Sequence, residues 1–421
     1  MSGGPVAAIL LVLGLPAPAE EPLTLEQVLA AARSANALLP VAREDVSTAM
    51  ARERQAAGQL LPQLSLLSDA VFATGGATYS GGPSEDRLQV VVRQPVYQGG
   101  ELRARRSQAQ ALTRAAKAGY RAGEKDVDAE VRVLFATYLE AESELGFRRE
   151  GAARLRGYLT GVRSRQAAGQ GVTTDLLKTR ARIADEDANI ADAQRQLDEA
   201  RLQLNELMGR DPAAPLRLAS LPEPLAPAAA PETGWTTVPE IARARAELDA
   251  ARAGVAVARA GRLPHLDASG DAGLLGPGLT GGPPSSLGSR LRTDFGVSLT
   301  LSLTWSLLDF GIYRGRRDEA EALALQAERR VAALERSSRL EWERARAQLA
   351  TLYRAIEARR QALPIALDAY LSAESLYRGG SGTALEVLDA YSALIGASSA
   401  HAQTVLSYRI AEARSIRWGT P

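Results

Sequence analysis

Apolar residues recur along this chain with two periods, and the order in which the periods change is repeated. The first helical run, Leu25 to Gln59, is rich in Ala, Arg and Glu and stops before Pro62. Past it the period drops to two: Leu64, Leu66, Ala70 and Phe72, then Leu88, Val90, Val92 and Val96, alternate with polar positions. Leu266, Ala268 and Ala272 give a weaker alternation in the second half, and Phe295 to Leu307 the clearest one, with large apolar residues at every odd position and Gly, Ser or Thr between. Its 13 residues reach roughly 40 Å at ~3.3 Å each, or about 28 Å tilted near 45°, which is a membrane thickness. The Gly/Ser/Pro-rich segments Gly75–Pro83 and Gly276–Gly288 read as the loops of two hairpins, about 63–97 and 265–308.

After Gly100 and Gly311 the period is helical again. Val127, Val131, Leu134, Tyr138, Ala141 and Leu145 step by four and three, and Leu176, Ile183, Ile190, Leu197 and Leu204 recur every seven. A seven-residue repeat implies left-handed supercoiling. Each long run covers about 66 residues, roughly 100 Å of helix, with Pro364 expected to bend or break the second. Such helices must pack side by side.

The chain is written twice. Leu61-Pro62 matches Leu263-Pro264 at an offset of 202; Gly100 with Arg103 matches Gly311 with Arg314 at 211, as does Gly171 with Gly382. The spacing from Gly100 to Gly171 is 71, and so is that from Gly311 to Gly382. The expected repeats are residues 20–210 and 237–418, joined by a Pro/Ala-rich linker, 211–236, that holds six prolines between Pro212 and Pro231. Val6 to Leu15 followed by Ala17 and Ala19 reads as an export signal over residues 1–19, although no Lys or Arg precedes it.

Composition removes alternatives. Cysteine is absent and there are two histidines, His265 and His401, without a second ligand type at metal spacing, so no metal site and no cofactor are expected. No acid, base and nucleophile constellation emerges, which argues against an enzyme. Fifty basic against 49 acidic residues give no field for nucleic acid. Asp185-Glu186-Asp187 and Arg103, Arg105 and Arg106 read as solvated faces or ion pairs. Trp305 and Tyr97 suit an aromatic girdle.

Two hairpins give four strands, and an open four-stranded sheet in lipid leaves two edges of unpaired backbone groups, each costing several kcal/mol. Closure needs other copies: two would give eight strands, three would give twelve and a channel. The bland alternative is a soluble antiparallel sandwich.

Residues 23–418 resemble the TolC-type outer-membrane efflux family. The pieces that carry the resemblance are Leu23-Thr-Leu-Glu26 with Asn36, Leu61-Pro62, Gln94-Pro95-Val96-Tyr97-Gln98-Gly99-Gly100, and the Gly-x-x-x-Asp-Leu-Leu turn at 171–177. Ala37 stands where the family usually has proline. The resemblance implies a mostly α homotrimer with a 12-stranded membrane β-barrel, four strands per protomer, continued by an α-helical barrel in the periplasm. It also implies a periplasmic adaptor and an inner-membrane transporter as partners. The chain is then the passive exit duct of a tripartite efflux or secretion system. An adaptor, or an exported coiled-coil scaffold without a pore, is the alternative.

Gly171 and Gly382 mark the tips of the helix hairpins. Glu386 and Asp389, i and i+3, would become two stacked acidic rings about a threefold axis, matching the family's aperture. By the same resemblance Asp175, Thr174 and Tyr377 are expected in polar links that close the tip. Gly382 replaces the family's basic partner there, and Arg378 is a candidate substitute. Asp175 and Glu386 are also well placed simply to interact with a helix dipole.

Overall fold

A computed structural model describes residues 22–72, 84–169, 172–224, 234–276 and 295–418. The elements run α1 (Leu25–Ala35), α2 (Leu38–Gly58), β1 (Gln63–Phe72), β2 (Ser84–Gln98), α3 (Glu101–Ala167), α4 (Thr173–Leu207), α5 (Pro239–Ala260), β3 (His265–Gly276), β4 (Phe295–Thr304), α6 (Ile312–Arg378) and α7 (Ala384–Ser415). Short 3-10 turns stand at Gly234–Thr237 and Ile416–Trp418. Helix, strand pair, 67-residue helix and shorter helix thus occur twice. The duplication extends to backbone conformation. Gly99 and Gly100 have φ of 60° and 87°, and their counterparts Phe310 and Gly311 have 51° and 97°.

The chain divides into two compact units, each drawing on both repeats. One comprises Ala37–Val127, Ala228–Ala350 and Arg414–Pro421 and contains the sheet. Its strands are antiparallel in the order β1-β2-β3-β4, so β1 and β4 are the edges. Register places Ser65, Val91, Asp271 and Ser298 in one row and Leu66, Val90, Ala272 and Val297 in the next, hence on opposite faces. On the polar face Gln89 Nε2 donates to Asp271 Oδ2 at 3.3 Å, the Ser298 hydroxyl donates to Asp271 Oδ1, and Gln98 Nε2 donates to Asp267 Oδ1 at 2.9 Å. The apolar face is bare: Val297 is 73% and Leu299 84% exposed. Polar groups satisfied among themselves with branched apolar side chains turned outward is the arrangement that suits lipid. At Gly273 an added Cβ would fall 2.1 Å from the Leu88 carbonyl oxygen, so the strands pass there only because the side chain is missing.

The alternation in the sequence runs to Leu307, yet β4 ends at Thr304. Thr304 pairs with His265, the first residue of β3, and Pro264 before it has no N–H with which to extend the ladder. Of the expected loops, 75–83 and 277–288 fall outside the described residues, and Gly276, read as the start of the second, is the last residue of β3. Elsewhere in this unit Trp342, Trp418, Val238 and Ile241 form a buried cluster with Trp235 against it. Lys125 Nζ donates to the carbonyls of Ile416 and Arg417 at 3.4 and 3.2 Å, which fixes the C-terminal turn.

The other unit comprises Met1–Asn36, Asp128–Pro227 and Thr351–Ala413. The single run expected from Leu25 to Gln59 is two helices: Asn36, at φ −63° and ψ 123°, is extended and closes α1. Thr24 opens α1 in a reciprocal capping box with Gln27. Arg33 grips Asp128 with two hydrogen bonds, 2.7 and 2.5 Å. The start of the linker is stapled down: Asn205 Nδ2 donates to the carbonyls of Pro212 and Ala214 at 3.1 and 2.9 Å, and Tyr138 Oη to that of Leu216 at 2.7 Å. Pro364 does not end α6. Proline's fixed φ is helical, and buried Ile356 and Tyr370 hold the helix on either side while one backbone bond is lost. Among the described residues no helix is long and apolar enough to cross a membrane.

Candidate functional site

The two helix-hairpin turns lie in the second of these units. Helix α3 ends at Ala167, with Gly169 at φ +73°, and α4 starts at Thr173. Helix α6 ends at Arg378 and the chain reverses through Gly380 at φ +86°, which glycine alone takes without strain. Ser381 and Gly382 N–H both donate to the Leu376 carbonyl, at 3.0 and 3.1 Å. A Cβ on Gly382 would meet Tyr377 N at 2.9 Å and Leu376 Cβ at 3.1 Å, so the tightness of this turn leaves no room for the family's basic residue. Gly171 lies outside the described residues.

Thr383 caps α7. Its Oγ1 accepts from Glu386 N at 3.3 Å, and Glu386 Oε2 accepts from Thr383 N at 2.8 Å. Glu386 therefore carries a capping role that its position alone allowed. It and Asp389 are exposed on one side of α7, whereas Ala384, Val387 and Tyr391 on the other side are buried.

That buried side packs into a cluster rich in tyrosine: Leu155, Tyr158 and Val162 from α3, Tyr370 and Tyr377 from α6, with Leu176 and Ile183 of α4 against them. Tyr158 and Tyr377 meet edge to face at 5.1 Å, Tyr370 and Tyr391 at 6.2 Å. Burial, and then the Asp175 carboxylate, raise the Tyr377 hydroxyl above the usual phenol range. Burial pushes Tyr370 up to about 12, and Tyr158 and Tyr391 also rise, chiefly through burial. These phenols are neutral at any physiological pH and act by packing and hydrogen bonding.

Asp175 and Tyr377 are thus brought together, while Thr174 is exposed on the first turn of α4. Arg378 pairs with Glu374 of its own helix at 2.5 Å. The cation that reaches Tyr377 from α3 is one the sequence did not single out. Arg165, in the last turn of α3, donates to the Tyr377 carbonyl and lays its guanidinium 4.7 Å from the Tyr377 ring centre. A second bridge lies farther along: Arg182 of α4 donates to Ser392 Oγ of α7 at 2.6 Å and stands 5.8 Å from the Tyr391 ring.

Beyond these, Arg148 joins Glu144 at 2.6 Å and Glu186 at 3.3 Å, and Glu186 is 2% exposed. Asp187 pairs with Arg156 at 2.5 Å, so the acidic triplet splits into ion pairs on two faces. His265 and His401 each lie beside one glutamate, Glu101 at 3.5 Å and Glu223 at 3.3 Å. Among the described residues no group of side chains is arranged to hold a metal ion.

The architecture has close counterparts among solved structures. CusC superposes with a TM-score of 0.81 at 19% identity over 94% of this chain and 92% of its own. VceC, an outer membrane protein of Vibrio cholerae, gives 0.80 at 19% identity, covering 94% and 96%. The MtrE outer membrane channel of Neisseria gonorrhoeae, in its open state, gives 0.76 at 20% over 94% and 88%. No curated protein matches by sequence. The family profile described as outer membrane efflux protein matches residues 28–210 and 237–414, one stretch in each repeat. With the inside-out sheet and the duplicated helix hairpins, that match makes this chain a member of the outer membrane efflux protein family, located in the outer membrane and serving there as an exit duct.

Proposed function

We propose that three copies of this chain close a 12-stranded barrel and a helical tube, and that the hairpin tips form its gate. The observation that carries the gate is the exposure of Glu386 and Asp389 on one face of α7, backed by a rigid tyrosine-lined core. About a threefold axis these become two rings of carboxylates that favour cations. Asp175 with Tyr377, and Arg165 across the Tyr377 ring, hold the two hairpins of a protomer in the closed arrangement. The duct is passive. Transport energy comes from an inner-membrane pump, reached through a periplasmic adaptor that docks on the tips. Two complete hairpins per chain favour this over an adaptor, for which one suffices.

The ring assignment is tested with Glu386→Gln and Asp389→Asn together. Glutamine retains an oxygen to accept from Thr383 N, so charge is removed while the cap persists. In planar bilayers the permeability ratio of potassium over chloride should fall toward parity. A ratio equal to that of the parent removes the rings.

A further inference from the structure

Between β4 and α6 the chain turns through Trp305–Ile312, and this elbow is the most exposed apolar stretch among the described residues. Leu307, Leu308 and Ile312 are exposed, and Phe310 is 92% exposed with a φ of 51°. A left-handed conformation is unfavourable for a residue with a Cβ, and the same position in the first repeat is Gly99. A bulky apolar side chain thus stands in water, in a conformation that glycine adopts without strain. Nothing among the described residues of the protomer covers it.

Two neighbouring features say what does. The elbow continues the bare lipid face of β4, since Trp305 and Leu307 keep the odd-numbered alternation of Val297 to Leu303, and Trp305 has its indole N–H satisfied by the Arg262 carbonyl at 3.2 Å. Directly after it α6 carries Arg314, Arg316 and Arg317; at the repeat offset of 211, α3 carries Arg103, Arg105 and Arg106. All six are exposed. Arg105 pairs with Glu101 and Arg317 with Asp318, at 2.5 and 2.7 Å. Arg103, Arg106, Arg314 and Arg316 have no ion-pair partner among the described residues, although Arg316 stands 6.0 Å from the Tyr313 ring centre.

We propose that the elbow and the duplicated Arg-x-Arg-Arg segments form a collar at the membrane surface, with Phe310 and its neighbours in the acyl boundary and the unpaired arginines on the phosphates of anionic phospholipid. Apolar wedges beneath guanidinium groups suit that zone: the ring gains burial and each guanidinium finds a bidentate acceptor. Arginines near such a surface add about a fivefold preference each for anionic over neutral lipid. The inference rests on the outer-membrane location and is independent of the gate.

The test uses full-length protein in non-ionic detergent, titrated with phosphatidylglycerol, phosphatidylcholine or inorganic phosphate, with bound lipid counted by native mass spectrometry and stability followed by thermal melting. The parent should prefer phosphatidylglycerol over phosphatidylcholine by at least about tenfold. The variant Arg103→Gln, Arg106→Gln, Arg314→Gln, Arg316→Gln should lose that preference, and inorganic phosphate should not shift the melt. Phe310→Gly should melt higher in lipid-free detergent, its strain relieved, yet gain less from added phosphatidylglycerol. Equal lipid preference in parent and arginine variant overturns the collar. So does dissociation of the oligomer by Phe310→Gly, which would make the elbow a contact between copies, or a melt raised by phosphate alone.

Discussion

At the residue scale one cation spans the two hairpin tips. Arg165 reaches from α3 to the carbonyl and ring of Tyr377, while Arg378, nearer in sequence, is taken by Glu374. The sequence shows Arg165 only as one of many basic residues on a long helix. Its significance arises because two hairpins 212 residues apart come together, and no local pattern encodes that. The shared exposed face of Glu386 and Asp389 was legible because their i,i+3 spacing is local. The sequence placed Glu386 beside a helix dipole; its reciprocal cap with Thr383 was not read. Arg165→Ala should raise the open probability of the channel in bilayers, with Arg165→Lys intermediate: lysine keeps charge and donor but not the planar stack on the ring. An Ala variant that gates like the parent would show that the closed tip does not need this contact.

Across elements, what could be read from the chain was whatever has a period. Strand polarity followed from alternation between Phe295 and Leu307, and the helices from the heptads. The ends were less legible, because a strand stops where its neighbour stops: Thr304 is the last residue of β4 because Pro264 cannot continue β3. Nor does a proline at 364 interrupt α6, since packing on both sides outweighs one missing bond. Glu186 was the least visible. Within an acidic triplet it looks like a solvated face, yet it is buried against Arg148, which also holds Glu144. Arg148→Met should destabilise the protein by about 3–5 kcal/mol, because two carboxylates lose their counter-ion. Arg148→Met with Glu186→Met should recover only part of that loss, since the buried Glu186 charge is gone while Glu144 still lacks its counter-ion. Detergent-solubilised samples compared by chemical denaturation test both statements, and a double variant no better than the single one would contradict the account.

On the scale of the whole molecule, the duplication was the most secure inference, because equal landmark spacings of 71 residues do not depend on tertiary structure. The partition into two compact units was not legible: each gathers segments from both repeats, and two of its boundaries fall inside α3 and α6, where the pattern is unbroken.

The two uncapped margins of the sheet, β1 and β4, carry a genetic consequence. A pore that borrows its missing strands from sister copies is only as sound as its worst contributor. If a strand-breaking variant such as Leu299→Pro is co-produced with the parent in equal amounts and joins at random, about one assembly in eight is free of it. The damaged allele should therefore behave as dominant, depressing export well below half. Export that merely halves would mean that each polypeptide makes its own opening.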